Sequence, residues 1–206
     1  MDKIVNLKEI YDEAVSCKDS LENQAAGVGR SVMLYLHWAA SGYESTWDDY
    51  HICILGDGEL HMMGDFDEIK SHTWHRNTGA IGISWSACLD ATLPWDGGDY
   101  RADFGTYPPT KDQIEKMAQV VAVIMMGLDL TGEYGEGFKE HVLTHCEAAV
   151  EDDYGPGSGD PQTRWDLFQT SDDDEPWTGG DTIRGKAIWY WQQYKENGIP
   201  EEYLGD

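Results

Sequence analysis

The stretch Ser31–Asp57, SVMLYLHWAASGYESTWDDYHICILGD, restricts the fold more than any other part of the chain. Val32–His37 is short, apolar and bounded by turn signals, the pattern of a buried strand. Tyr50–Leu55 repeats that pattern. Gly56-Asp57-Gly58 is a hairpin turn signal, and Glu59–Met63 is the returning strand. Ala80–Trp85 (AIGISW) and Val142–His145 read as two further strands.

Helices are marked between these strands. Asn6 can cap a helix over Asn6–Lys18, with Glu9 at the third position. Its apolar stripe is Leu7, Ile10, Tyr11, Ala14 and Val15. Thr110, with Gln113 completing a capping box, opens a helix to about Leu128, whose face of Ile114, Met117, Val120, Val121, Ile124 and Met125 belongs to a core. Thr182–Lys195 is helical, with Ile183, Ala187, Ile188, Trp191 and Tyr194 on one side. It is too short to fold alone and is expected to pack back on the core; wall or partner binding by Trp189, Tyr190 and Trp191 is the alternative. Leu21–Arg30 and Asp65–Thr78 read as polar loops, and Leu93–Pro109 as a long loop that either walls a cleft or packs as an excursion. Ser171–Asp181 is an acidic connector. The order of elements predicts an α/β or α+β fold with helices on the faces of its sheet; the α/β form, a central mixed β-sheet flanked by helices with a C-terminal helix packed on the core, is the one expected.

Charge excludes some partners. The chain of 206 residues has a formal net charge of −25, so phosphate backbones are repelled and nucleic acid is not an expected partner. The four cysteines include no CxxC pair and read as buried free thiols. No stretch approaches 18 apolar residues, so no membrane span is expected. The start, MDKIVNLKEIYDE, is acidic and lacks an apolar core, so no secretory signal is expected.

The chemistry-bearing residues are dispersed. There are seven histidines but no HExxH, no GxSxG elbow and no P-loop lysine motif. His37 and His145 stand at strand ends, and Asp160 lies in a Gly-Pro loop fifteen residues after His145. Two imidazoles and one carboxylate leave a fourth tetrahedral position open, the arrangement of catalytic zinc. On spacing alone, ordinary hydrogen-bonded histidines are the alternative. His51 reads as a core histidine, His141 as a residue sharing the face of His145, Cys146 as facing away from it, and Asp152 and Asp153 as solvated.

The motif order narrows this. Leu36-His37-Trp38-Ala39-Ala40 is followed by Tyr50-His51-Ile52 with Gly56-Asp57-Gly58, by Trp74-His75, by Asn77 with Ala80-Ile81-Gly82-Ile83, by Pro109-Thr110-Lys111-Asp112-Gln113, and by His145, Asp160-Pro161 and Trp165-Asp166. In that order, over about residues 31 to 168, the chain resembles the zinc-dependent N-acetylmuramoyl-L-alanine amidases of the amidase-2 group, which includes phage endolysins and peptidoglycan recognition proteins. The resemblance implies one Zn2+ per chain on His37, His145 and Asp160. It implies a catalytic Tyr50, with Ser158, two residues before Asp160, where relatives place a Lys or Thr that helps hold the oxyanion. Trp74, His75 and Asn77 would line the substrate cleft. Some relatives carry Glu directly after Ile-Gly-Ile; this chain has Ser84, as in the phage and recognition-protein branch.

The implied reaction is cleavage of the amide between N-acetylmuramic acid and L-alanine in bacterial peptidoglycan. The expected protein is a monomeric phage-type endolysin, made in the cytoplasm and acting on the wall after release, for example through a holin. Residues 1–170 would form the catalytic domain, and 171–206 would join the same domain. A non-catalytic muropeptide binder, an interbacterial toxin and a wall-recycling amidase are the alternatives.

Overall fold

The computed structural model describes residues 2–93, 101–160 and 163–202. Part of the expected cleft loop (94–100) and Pro161 of the Asp-Pro pair lie outside the described residues.

The strands are β1 (Lys3–Ile4), β2 (Met33–Trp38), β3 (Ile52–Ile54), β4 (Leu60–Met62), β5 (Ala80–Trp85) and β6 (Val142–Thr144). Among the described residues they form one mixed sheet in the order β1-β4-β3-β5-β2-β6. The pairs β3–β5, β5–β2 and β2–β6 are parallel; β4 returns antiparallel on β3, and β1 runs antiparallel along β4. The parallel strands are buried along almost their whole length, which is why they read as apolar runs without alternation. Helices α1 (Leu7–Gly27), α2 (Lys111–Gly127), α3 (Gly137–His141), α4 (His145–Glu151) and α5 (Gly179–Asn197) complete the fold. Helix α2 contacts both α1 and α5, so the C-terminal helix packs on the core. Ile183, Ala187, Trp191 and Tyr194 are its buried apolar face, whereas Trp189 is exposed.

Both anticipated capping boxes are present: Asn6 with Glu9 starts α1, and Thr110 with Gln113 starts α2. Helix α1, however, runs through the segment read as a loop. Its stripe continues as Cys17, Leu21 and Ala25, all buried, while the polar residues between them face outward. Periodicity outweighs composition there. The fifth expected strand ends at Thr144. A third capping box, Thr144 with Glu147, turns His145 into the first residue of α4. The strand expected from Tyr50 begins at Ile52, so Tyr50 sits in the preceding turn. The short elements β1 and α3 were not anticipated.

Register decides what meets at the end of the sheet. Leu36 of β2 pairs with Thr144 of β6, and His37 pairs with Ser84 of β5. The residues that follow the Leu36–Thr144 pair are His37 and His145, so parallel pairing sets two imidazoles side by side at the carboxyl ends of adjacent strands. Ligands bind at this edge in open parallel sheets.

Gln113 ties α2 to that sheet. Its buried Nε2 donates to the carbonyls of Ile54 (3.1 Å) and Ser86 (2.9 Å), and its Oε1 accepts from the Thr110 amide (3.1 Å). Gln113→Leu keeps the volume and orphans these groups. A loss of about 1–3 kcal/mol of unfolding free energy is expected in urea titrations; an unchanged midpoint would show that the tie is dispensable.

Candidate metal centre and cleft

His37 is fully buried at the end of β2. Its Nδ1 lies 3.1 Å from His145 Nδ1 and 3.0 Å from Asp166 Oδ2, and His145 Nδ1 lies 3.1 Å from the same oxygen. These three atoms form a nearly equilateral triangle of buried donors, the His/His/Asp group that could hold a metal ion. Ligand atoms about 2.0–2.1 Å from a tetrahedral zinc stand about 3.3 Å apart. The triangle is therefore within a few tenths of an ångström of the size zinc needs, and nitrogen with carboxylate oxygen is a donor set that zinc accepts.

Protonation suits ligation as well. Burial lowers the pKa of His37 to about 4, so its ring is neutral near neutral pH. Burial alone would raise Asp166, but electrostatic interaction and hydrogen bonding with His145 and His37 outweigh it and hold the carboxyl well below the usual range. A neutral imidazole and an ionised carboxylate are the forms that bind metal.

The carboxylate of the cluster is Asp166, where Asp160 was expected. Asp160 is exposed on the cleft wall directly after Gly159, and its backbone N–H donates to Ser158 Oγ (3.1 Å). Asp166 is held from both sides of the chain. Its carbonyl accepts from the Cys146 amide (3.2 Å), and Leu167 and Phe168 behind it are sunk in the core. The usable signal was the Trp165-Asp166 pair followed by that apolar step, which carries the side chain into the core.

His145 is fixed by its helix. Thr144 and Glu147 exchange capping bonds, and Arg184 of α5 donates to both carboxylate oxygens of Glu147 (2.8 Å each) and to the Val142 carbonyl (3.1 Å). The C-terminal helix thus braces the end of β6 and the start of α4.

Tyr50 packs against His37, with ring centroids 5.1 Å apart. Burial pushes its phenol well above the ordinary range and the charge of Asp166 adds to this, while the hydroxyl of Ser84 opposes it. The phenol keeps its proton at neutral pH and can act as a hydrogen-bond donor. Ser84 itself is buried and pairs with His37 across β5 and β2.

Two clefts adjoin the cluster. One of about 670 Å³ is lined by His72, Thr73, Trp74, His145, Tyr154 and Arg164 among others. The second, of about 720 Å³, is bordered by Tyr50, His145, Arg164 and Asp166 with part of the Cys88–Ala91 turn. Trp74, 57% exposed, offers an aromatic wall. His75 stacks on Trp74 at 3.8 Å and lines neither cleft. Asn77 lines the first cleft, but its Oδ1 is committed to the amides of His72 (3.2 Å) and Thr73 (2.8 Å). It folds the loop as well as facing the cleft.

Ser158 is exposed and lines neither cleft; Arg164, two residues before Asp166, lines both. Asp152 is not free in solvent: Arg76 grips both of its oxygens (2.6 and 2.8 Å), clamping the Trp74 loop to the end of α4. His51 is structural, since its Nδ1 accepts from the Gly82 amide (2.9 Å) and its Nε2 donates to the Glu68 carbonyl (2.8 Å). His141 is pinned to the Val32 carbonyl (2.8 Å), and Cys146 is a buried free thiol.

With this geometry in place, the comparison with known families is decisive. The family model for N-acetylmuramoyl-L-alanine amidase matches residues 14–161. The chain belongs to that family. No curated protein and no solved structure matches it. The family match spans His37, Tyr50, His145 and Asp160 and stops short of Asp166, whose place in the cluster comes from the structure. Among the described residues of this amidase, no helix is long and apolar enough to cross a membrane.

The two aspartates are separable by experiment. Asp166→Ala is expected to remove bound zinc from the purified amidase, measured by elemental analysis after dialysis, whereas Asp160→Ala keeps it. Loss of metal in the Asp160 variant alone would return the ligand to the Gly-Pro loop.

Proposed function

We propose that this amidase is a zinc hydrolase that cuts the amide between N-acetylmuramic acid and L-alanine in bacterial peptidoglycan. The observation that carries the reading is the buried His37–His145–Asp166 triangle at the meeting of two clefts, in a chain of this family. A muropeptide binder without catalysis would have no need of a complete donor set. Zinc held there would lower the pKa of a water to near ~7 and polarise the scissile carbonyl.

The chain's own groups supply the rest. Tyr50, protonated and packed on His37, donates a hydrogen bond to the oxygen on which charge develops. The oxyanion role first assigned to Ser158 moves with the ligand. Two residues before Asp166 stands Arg164, which borders both clefts and brings a positive charge that a serine lacks. Trp74 and Tyr154 give the substrate an apolar wall, and the Arg76–Asp152 clamp holds that wall in place.

Ser84 in the Glu position supports the phage-type branch, and with it the reading of an endolysin that reaches the wall after release. The packing of α5 on α2 and the bracing of α4 by Arg184 support residues 171–206 as part of one domain with residues 1–170.

Metal analysis joined to mass spectrometry of digested peptidoglycan tests this function. About one zinc per chain is expected, with release of intact stem peptides bearing a free alanine amine; neither zinc nor such products would contradict it. Tyr50→Phe and Arg164→Ala should each keep the metal and lower kcat by about 10²–10³-fold. Full activity in either variant removes that residue from the mechanism.

A further inference from the structure

The cluster-facing nitrogen of His37 is only half of that ring's bonding. On the far side, His37 Nε2 lies 3.3 Å from Thr73 Oγ1, and Thr73 Oγ1 lies 3.0 Å from His72 Nδ1. All three residues are buried. A hydroxyl carries one proton, so this chain of contacts has few consistent arrangements. If His37 gives its Nδ1 lone pair to a cation, its proton must sit on Nε2, and that N–H donates to Thr73 Oγ1. The buried threonine proton then needs an acceptor of its own, and a bare His72 Nδ1 at 3.0 Å supplies it. His72 therefore carries its own proton on Nε2, an atom with no partner of good hydrogen-bond geometry; the backbone of Ala80 acts on the ring as a weak acceptor.

The surroundings hold this arrangement. Asn77 Oδ1 accepts from the amides of both His72 and Thr73 and so fixes the backbone that carries them. The His72 ring lies flat on Gly82 of β5: a Cβ there would stand 2.5 Å from the ring's Cγ. Glycine at that strand position is what lets the ring reach Thr73. His145 has no comparable support, because its Nε2 is buried without a partner among the described residues. It is oriented by the α4 cap instead.

We infer that Thr73 and His72 form a positioning relay that sets the tautomer and ring orientation of His37, preparing its Nδ1 as a metal ligand. Neither residue touches the metal or substrate in this role; both act through His37. The inference rests on the zinc reading above. Outer partners of ligating histidines commonly govern metal affinity, and losing one weakens it about 10–100-fold.

The test compares Thr73→Val with Thr73→Ser. Valine keeps the shape and removes the hydroxyl; serine keeps the hydroxyl. Zinc dissociation constants are measured by competition with a chromophoric chelator, and the melting temperature of each metal-free variant reports folding. The relay predicts zinc binding about 10–100-fold weaker in Thr73→Val and near wild type in Thr73→Ser. Wild-type zinc affinity in Thr73→Val, or equal losses in both variants, overturns it. Nitrogen-15 NMR of the zinc-loaded wild type gives a second reading that needs no variant: both His37 and His72 should carry their proton on Nε2. A proton on His72 Nδ1 contradicts the relay even if Thr73→Val fails to fold. Wild-type protein that binds no zinc removes the zinc reading and the relay together, whereas wild-type binding with an unaffected Thr73→Val removes the relay alone.

Discussion

Asp166 carries a negative charge in a buried position, flanked by two imidazoles whose nitrogens meet its Oδ2 at 3.0 and 3.1 Å. Taking a carboxylate out of water costs several kcal/mol unless a compensating charge and good geometry accompany it. A dication at the centre of the triangle is the natural complement, since it meets one charge and two lone pairs at once. Much of the fold around this point can be read as support. The parallel pairing of β2 and β6 brings the histidines level, the Thr144–Glu147 box starts a helix on His145, and Arg184 reaches from α5 to brace that box.

The same arrangement explains how one cluster can serve an open cleft. Its two histidines lie at the carboxyl ends of adjacent parallel strands, and Asp166 joins them from the irregular segment between α4 and α5. Tyr50, Arg164, Trp74 and Tyr154 come from turns around that rim, so they border the clefts without interrupting the sheet. The family match and the donor geometry support the same chemistry from independent directions, because one rests on sequence over residues 14–161 and the other includes a residue beyond it.

Five of the six described strands and both major capping boxes were legible because they follow from local pattern: apolar runs bounded by turns, and Asn or Thr three residues ahead of Glu or Gln. His37 and His145 were legible because strand ends and motif order fixed them. What escaped was set by non-local packing. Helix α1 continues past its polar stretch because Leu21 and Ala25 are buried against the rest of the core. Asp166 joins the two histidines because Leu167 and Phe168 behind it are buried in the core, a long-range contact that local pattern does not show. The proposed oxyanion role of Arg164, in place of Ser158, follows from the proposal of Asp166 as the ligand. Thr73 and His72 gave no motif, since their role comes from the folding of the Asn77 loop onto Gly82.

The most direct measurement is an anomalous-difference map at the zinc edge from crystals of the zinc-loaded protein. The account predicts one strong peak bonded to Nδ1 of His37, Nδ1 of His145 and Oδ2 of Asp166, at about 2.0–2.2 Å from each. A peak on Asp160, a peak with a cysteine sulfur in its shell, or no peak at the end of β2 would contradict it.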